Sequence, residues 1–196
     1  MFLATICKID VRATNMLFCP VKIRSGTSEY RTKLSLLDSG AAICHMTYPL
    51  WMNMGLHEEC WNNNPELCKL MGITSSDDMV FEKLPLVSVV SILGDGSKIK
   101  AYEFRLDALE LGRASLGFNH RIDFENITVR VIDRKDSDFI VGWNVLKYMK
   151  PTYNPSPSDL VYQLELTDSG RKLLEQDRQN KIANHMQSMF NYQGKE

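Results

Sequence analysis

The sequence predicts a mainly β domain that is followed by a C-terminal helix. Short stretches with alternating apolar or β-branched residues recur through the first 166 positions, and glycine or proline turns separate them. Gly94-Asp95-Gly96-Ser97 has the composition of a hairpin turn between two such stretches. After Thr167 the pattern becomes that of a charged helix. Strands are predicted over residues 2–11, 17–23, 33–37, 84–93, 98–111, 127–132, 139–141 and 160–166.

The segment after Thr167 is a predicted helical tail. Ile182, Met186, Met189 and Phe190 follow the i, i+4, i+7, i+8 spacing of one helix face. This apolar face predicts packing on the chain's own domain, with contact to a second copy or another partner as the alternative. We therefore expect a domain over residues 1–167 and a tail over 168–196.

Short helices are expected between the strands. Thr47-Tyr48-Pro49 has the composition of a helix start, and Gly55 would end that helix after residues 50–54. Another short helix is predicted at 144–149, and the prolines at 151, 155 and 157 predict an irregular connector after it. Residues 58–78 are polar and predict an irregular excursion with one helical turn at 66–71.

Composition argues against several classes of protein. The chain has 23 basic and 24 acidic residues, so it has no strong field to attract nucleic acid or anionic lipid. Its five cysteines are odd in number and lack the paired spacing of zinc sites, which predicts free thiols and a reducing compartment. No run approaches the roughly 20 apolar residues of a membrane span, and the apolar start is too short for a signal peptide. We expect a cytoplasmic protein that binds neither nucleic acid nor membrane.

Two distant segments carry the candidate chemistry. Residues 34–41 (Leu-Ser-Leu-Leu-Asp-Ser-Gly-Ala) read as an apolar strand that stops at an acid, a hydroxyl and a glycine. Residues 139–146 (Phe-Ile-Val-Gly-Trp-Asn-Val-Leu) read as an apolar strand, a glycine and a short helix. The glycine-tipped hairpin lies between them.

In this order the segments resemble the retropepsin family, the retroviral and retroviral-like aspartic proteases, over roughly residues 17–166. The resemblance implies one acid-protease lobe, a closed, barrel-like β structure with short helices, in which Asp38 is the catalytic acid. It also implies supporting roles for three further groups of residues. These are Ser39, Gly40 and Ala41 in the active-site loop, Leu93, Gly94, Asp95 and Gly96 in a flap, and Ile140, Val141 and Gly142 in the strand–helix segment beneath the loop.

One such motif per chain implies a homodimer, in which each subunit supplies one Asp38. Two carboxylates held close together share a proton, because two neighbouring negative charges repel. The ionised carboxylate would activate a water, and the protonated one would polarise the scissile carbonyl. The predicted protein is an aspartic endopeptidase for a peptide or protein substrate, without metal or organic cofactor. The alternative is a catalytically silent dimerisation or peptide-binding module, since Trp143 stands where the family often has an arginine.

Other groupings have more ordinary interpretations. A second Asp-Ser-Gly opens the charged helix, so Asp168 or Ser169 is predicted to be its N-cap. Cys44-His45 could indicate a thiol hydrolase, but adjacent residues of an extended segment point to opposite faces. Residues 57–60 (His-Glu-Glu-Cys) lack a second ligand cluster, and the acids at 133, 136 and 138 lack the glycine and terminal glutamate of a calcium loop. No metal site is predicted.

Overall fold

A computed structural model describes residues 6–11, 17–92, 96–112, 121–134, 137–155 and 160–193. The described strands are β1 (Ile6–Val11), β2 (Leu17–Ser25), β3 (Ser28–Leu37), β4 (Cys44–Thr47), β5 (Val87–Ile92), β6 (Lys98–Gly112), β7 (Arg121–Ile132), β8 (Phe139–Val141), β9 (Met149–Pro155) and β10 (Leu160–Leu166). The described α-helices are α1 (Tyr48–Asn53), α2 (Leu56–Asn63), α3 (Pro65–Leu70), α4 (Trp143–Leu146) and α5 (Asp168–Gln193). Two 3-10 turns, Ser76–Asp78 and Phe81–Lys83, precede β5.

Six of the strands close into a ring. β2 pairs with both β3 and β6, so the ring runs β2-β3-β8-β4-β7-β6 and returns to β2. β8 is parallel to β3 and β4 is parallel to β7, whereas the other four pairs of neighbours are antiparallel. The fully buried core includes Ile23, Leu106, Leu109, Phe124 and Val129. The predicted mainly β, closed lobe with short helices is confirmed.

Four strands lie outside the ring. β5 pairs with β6 and forms one edge of the sheet, while β1, β10 and β9 follow β2 on the other side. β9 occupies the segment for which the prolines predicted an irregular connector, so that prediction is wrong. Pro151 and Pro155 are compatible with β9 because it is an edge strand, where a missing backbone donor can face away from the sheet. Pro157 lies outside the described residues.

The segment between β4 and β5 is more helical than the sequence predicts. α1 begins as expected, with the Leu50 amide donating to the Thr47 hydroxyl over 3.4 Å. The polar excursion that follows forms α2 and α3 instead of a single turn. Its helices are easy to miss because α2 buries only a narrow stripe, made of Leu56, His57 and Cys60.

The predicted C-terminal helix is confirmed as α5, but its cap is different. Thr167 accepts the Gly170 amide on its hydroxyl oxygen at 2.9 Å, so the N-cap is Thr167, and not Asp168 or Ser169. Farther along, Asp177 Oδ2 lies 2.7 Å from Lys147 Nζ, and Arg178 pairs with Glu125. The start of α5 is therefore docked on the preceding domain.

The apolar stripe of α5 is described only at its first member. Ile182 is 50% exposed, whereas the side chains of Met186, Met189 and Phe190 lie outside the described part. Packing of the stripe on its own domain stays a prediction, as does the division into residues 1–167 and 168–196. Among the described helices, none combines the length and the apolar character needed to span a bilayer.

Candidate active site

Asp38 lies in a tight turn directly after β3. Its backbone amide donates to the carbonyl of Val141 on β8 at 3.0 Å, which anchors the turn to a distant strand. The Gly40 amide donates to Asp38 Oδ1 at 2.8 Å, and the Ala41 amide donates to the Asp38 carbonyl at 3.2 Å. The Asp38 side chain is half-buried, while Ser39 and Gly40 are exposed. The turn thus holds one oxygen of a solvent-accessible carboxylate.

The strand–glycine–helix segment lies against the acid turn. The Trp143 amide donates to the Ala41 carbonyl at 2.6 Å, and the Asn144 amide donates to the Ala42 carbonyl at 3.1 Å. A Cβ on Gly142 would lie 2.5 Å from the backbone of Ile43, a distance that side chains do not tolerate. Glycine is therefore required at 142 because two backbone segments meet there.

Asn144 fixes the chain just beyond the turn. Its side-chain oxygen accepts the Cys44 amide at 2.9 Å, and its Nδ2 donates to the Thr128 carbonyl at 2.9 Å. One side chain thereby joins α4 to β4 and β7. No role was predicted for Asn144, although a polar residue inside an otherwise apolar strand–helix segment was an available signal.

Cys44 is a structural thiol. The side chain is fully buried, and its sulfur accepts the Gly142 amide at 3.3 Å. Burial raises the pKa of the Cys44 thiol to about 12, so the nucleophilic thiolate is absent at neutral pH. The arrangement does not support a thiol hydrolase at Cys44-His45.

A row of side chains crosses the sheet beside the acid turn. Leu36 on β3 is in register with Ile140 on β8, Ile140 with His45 on β4, and His45 with Arg130 on β7. Cross-strand partners share one face of a sheet, so these side chains lie on the same side. The charge of Asp38 reaches His45, where it favours the protonated ring. The row connects the acid turn to β7.

His45 is a half-buried imidazole in this row. Burial lowers the pKa of His45 to about 4, and the positive charges of Arg130 and Arg134 act in the same direction against the opposing effect of Asp38. The ring is therefore neutral at pH 7. Its Nε2 lies 3.4 Å from the hydroxyl of Ser91 on β5.

The predicted hairpin is present, although its tip is only partly described. β5 and β6 pair antiparallel from Val87 with Glu103 to Ile92 with Lys98. Gly96 has a φ of 81° and is exposed, which fits a turn that requires glycine. Leu93, Gly94 and Asp95, the other predicted flap residues, lie outside the described residues. Contact of the tip with a substrate stays a prediction.

The groupings that resembled metal sites have other surroundings. The described part of the chain contains no group of three or more His, Cys, Asp or Glu residues placed to hold a metal. His57 is buried with its ring 6.2 Å from that of Trp51. Asp138 accepts the Tyr30 hydroxyl at 3.0 Å.

Comparison with known proteins gives matches among solved structures only. No family model matches the chain, and no curated protein sequence matches it. A retropepsin-like aspartic protease from Rickettsia conorii matches with 12% identity and a TM-score of 0.47, over 84% of this chain and 95% of that one. The retroviral protease-like domain of Ddi1 from Leishmania major matches with 17% identity and a TM-score of 0.33, over 78% of this chain and 97% of that one.

The fold of the chain is retropepsin-like by its own topology. A closed ring of strands presents an Asp-Ser-Gly turn at the end of β3, and β8 with its glycine and helix supports that turn from behind. In the sequence, the hairpin of β5 and β6 lies between these two segments.

Proposed function

We propose that the protein is an aspartic endopeptidase, with its active site at the two-fold axis of a homodimer that contributes one Asp38 from each subunit. The observation that carries the proposal is that hydrogen bonds fix both the backbone and the carboxylate of Asp38. Its backbone is anchored to Val141 on another strand, and its Oδ1 is fixed by the Gly40 amide. An ordinary surface turn needs no such long-range anchor.

A second carboxylate would come from a second copy. Asp38 Oδ1 is bonded to a backbone amide and not to another carboxyl group. Ser39 and Gly40 of the turn are exposed, and the side chain of Trp143, whose backbone amide donates to Ala41, is 52% exposed. Aromatic side chains contribute much of the energy of protein interfaces. We infer that Trp143 anchors the contact between the two acid turns.

The paired carboxylates would act on a water and a peptide carbonyl. Because each Gly40 amide holds one oxygen, the other oxygen of each Asp38 remains for the proton that the pair shares. One ionised and one protonated carboxyl group are needed together, so activity should peak at acidic pH. The substrate would be an extended peptide or protein segment beneath the hairpin.

A reducing, cytoplasmic location is part of this proposal. Cys44, Cys60 and Cys68 are buried free thiols. Such thiols persist where disulfides do not form.

The decisive experiment compares the two Asp-Ser-Gly copies. Purified wild-type protein, Asp38→Asn and Asp168→Asn are each incubated with a peptide library between pH 3 and 7. Asp38→Asn should lose at least about 100-fold in rate, because it removes the acid–base group, and Asp168→Asn should retain the wild-type rate. Equal cleavage by Asp38→Asn and the wild type would refute the proposal. A stable dimer that cleaves nothing would support the silent module instead.

Mixing subunits tests whether the site is shared. An equal amount of Asp38→Asn is added to the wild-type protein under conditions of subunit exchange. Mixed dimers would carry a single Asp38, so activity should fall by about half at random pairing. Unchanged activity, with exchange confirmed by mass spectrometry, would show that each subunit works alone.

A further inference from the structure

The hairpin carries a buried serine between exposed apolar neighbours. Ser91 on β5 is 2% exposed, whereas Val90 and Ile92 on either side are 61% and 70% exposed. Ser88, on the same strand, is exposed. The Ser91 hydroxyl is buried because the hairpin packs against the rest of the molecule at this position.

The Ser91 hydroxyl meets a polar cluster. Arg130 Nη1 on β7 donates to Ser91 Oγ at 3.2 Å, and His45 Nε2 on β4 lies 3.4 Å from the same oxygen. Arg130 also donates to Glu103 Oε1 on β6, from Nε at 3.0 Å, while its Nη2 lies 2.9 Å from the same oxygen. All three guanidinium nitrogens are therefore used to join β7, β6 and β5.

The register shows that the hairpin curls back toward this cluster. Glu103 is in register with Arg130 on one side and with Val87 on the other. Ser91 lies four positions beyond Val87 on β5, about 13 Å along a straight strand. Its contact with Arg130 therefore requires the hairpin to bend over β7 and β4. Residues 98–100 of β6 pair with β5 and, among the described strands, with no other.

The direction of this bend is toward the candidate active site. His45 is in register with Ile140, and Ile140 is in register with Leu36, two residues before Asp38. The cluster therefore lies on the sheet face that leads to the acid turn, and the hairpin approaches this face from outside.

We propose that Ser91, Arg130 and Glu103, with His45 beside them, are positioning residues that hold the β5–β6 hairpin over the Asp38 turn. The consequence for catalysis rests on the proposed function, because it assigns the hairpin to substrate binding. The hydrogen-bonded bridge that joins Ser91, Arg130 and Glu103 does not itself depend on proteolysis.

A bridge with a charged donor in a half-buried site should control how often the hairpin opens. The Arg130 and Glu103 side chains are 22% and 31% exposed, so water competes with their hydrogen bonds only in part. Losing a hydrogen bond to a charged group shifts such an opening equilibrium by about tenfold or more.

Hydrogen–deuterium exchange of the full-length protein tests the bridge. Ser91→Ala and Arg130→Met should each increase exchange of amides 88–92 and 98–100 about tenfold, while amides 122–132 of β7 keep their wild-type rates. Ser88→Ala is the matched control and should leave the hairpin unchanged. Arg130→Lys keeps the charge but cannot join Glu103 and Ser91 together, so it should behave like Arg130→Met. Wild-type hairpin exchange in Ser91→Ala would overturn the proposal, and that variant decides the question if Arg130→Met does not fold.

Peptide kinetics test the consequence. In Ser91→Ala a looser hairpin should raise KM several-fold with a smaller effect on kcat, and Ser88→Ala should change neither. If exchange increases while an active Ser91→Ala enzyme keeps its wild-type KM and kcat, the positioning role is refuted. If the wild-type protein cleaves no peptide, the proposed function fails, while the exchange measurement still decides whether the bridge holds the hairpin.

Discussion

The chain contains Asp-Ser-Gly twice, and a different residue of the triplet makes the important contact in each copy. At residues 38–40 the acid is anchored by a long-range backbone bond, and the glycine is exposed. At residues 168–170 the acid is exposed, and the glycine is buried. Identical triplets therefore carry no common function. The surrounding strands decide which residue of the triplet matters.

The buried glycine of the second copy has a specific neighbour. A Cβ on Gly170 would lie 1.9 Å from the Tyr148 carbonyl oxygen, whereas a Cβ on Gly40 would meet only Asp38 Oδ1 at 3.1 Å. The first turn is supported by a glycine elsewhere in the chain, Gly142, which meets the Ile43 backbone. In the second copy, the glycine that makes the close backbone contact belongs to the triplet itself.

The two glycines should therefore respond differently to alanine, and this is the largest stability effect we expect. Gly170→Ala should lower the free energy of unfolding by about 3 kcal/mol, because a backbone carbonyl cannot yield as a flexible side chain can. Gly40→Ala should cost less than about 1 kcal/mol, yet reduce peptide cleavage at least about tenfold by displacing the Asp38 carboxylate. Urea unfolding and the peptide assay measure the two quantities. Equal stability losses would contradict the comparison.

Acid should destabilise the region around the Asp38 turn, because His45 becomes protonated there. The folded state lowers the pKa of His45 from 6.5 to about 4. The unfolded chain therefore binds more protons between these values, and stability falls as the pH drops through this window. After allowance for solvent screening of a half-buried group, the loss is roughly 2 kcal/mol.

Replacement of His45 isolates this effect. His45→Gln should remove this part of the stability difference between pH 7 and pH 4, measured by urea unfolding. The same difference in variant and wild type would assign the acid sensitivity to other groups.

The smallest effect concerns the cap of the second copy. Thr167→Ala removes the acceptor of the Gly170 amide and should lower stability by about 1 kcal/mol. Ser169→Ala removes only the 2.9 Å contact between the Ser169 and Thr167 hydroxyls and should cost less than about 0.5 kcal/mol. Thermal unfolding of both variants tests this order, and a larger loss in Ser169→Ala would restore the N-cap that the sequence predicted.

Local patterns predicted the parts of the fold that local chemistry determines. The strand leading to Asp38, the hairpin around Gly96 and the start of α1 at Thr47 all follow from short-range signals. The resemblance to retropepsins then identified β8 and Gly142 as the support of the acid turn. The site's scaffold was thus predictable, whereas dimerisation and catalysis remain proposals.

Contacts between distant residues were the main source of error. β9 was missed because prolines disfavour strands, and only its edge position beside β10 makes them acceptable. Asn144 and Arg130 act through partners on other strands, so no spacing in the sequence connects them to Asp38. The Thr167 cap lies one residue before Asp168 and two before Ser169, the two predicted caps, and helix ends assigned from local signals commonly differ by this much.

The anchoring of Asp38 to β8 also imposes an order in time. Cys44 and Asn144 are 100 residues apart, and the Val141 carbonyl that fixes the acid turn belongs to the same late segment. During synthesis the ribosome makes the acid long before it makes the strand that holds it. Contacts of such long range also form slowly. A nascent chain, or one truncated before β8, therefore contains Asp38 but no assembled acid turn, so any hydrolysis must wait until β8 and α4 have been made.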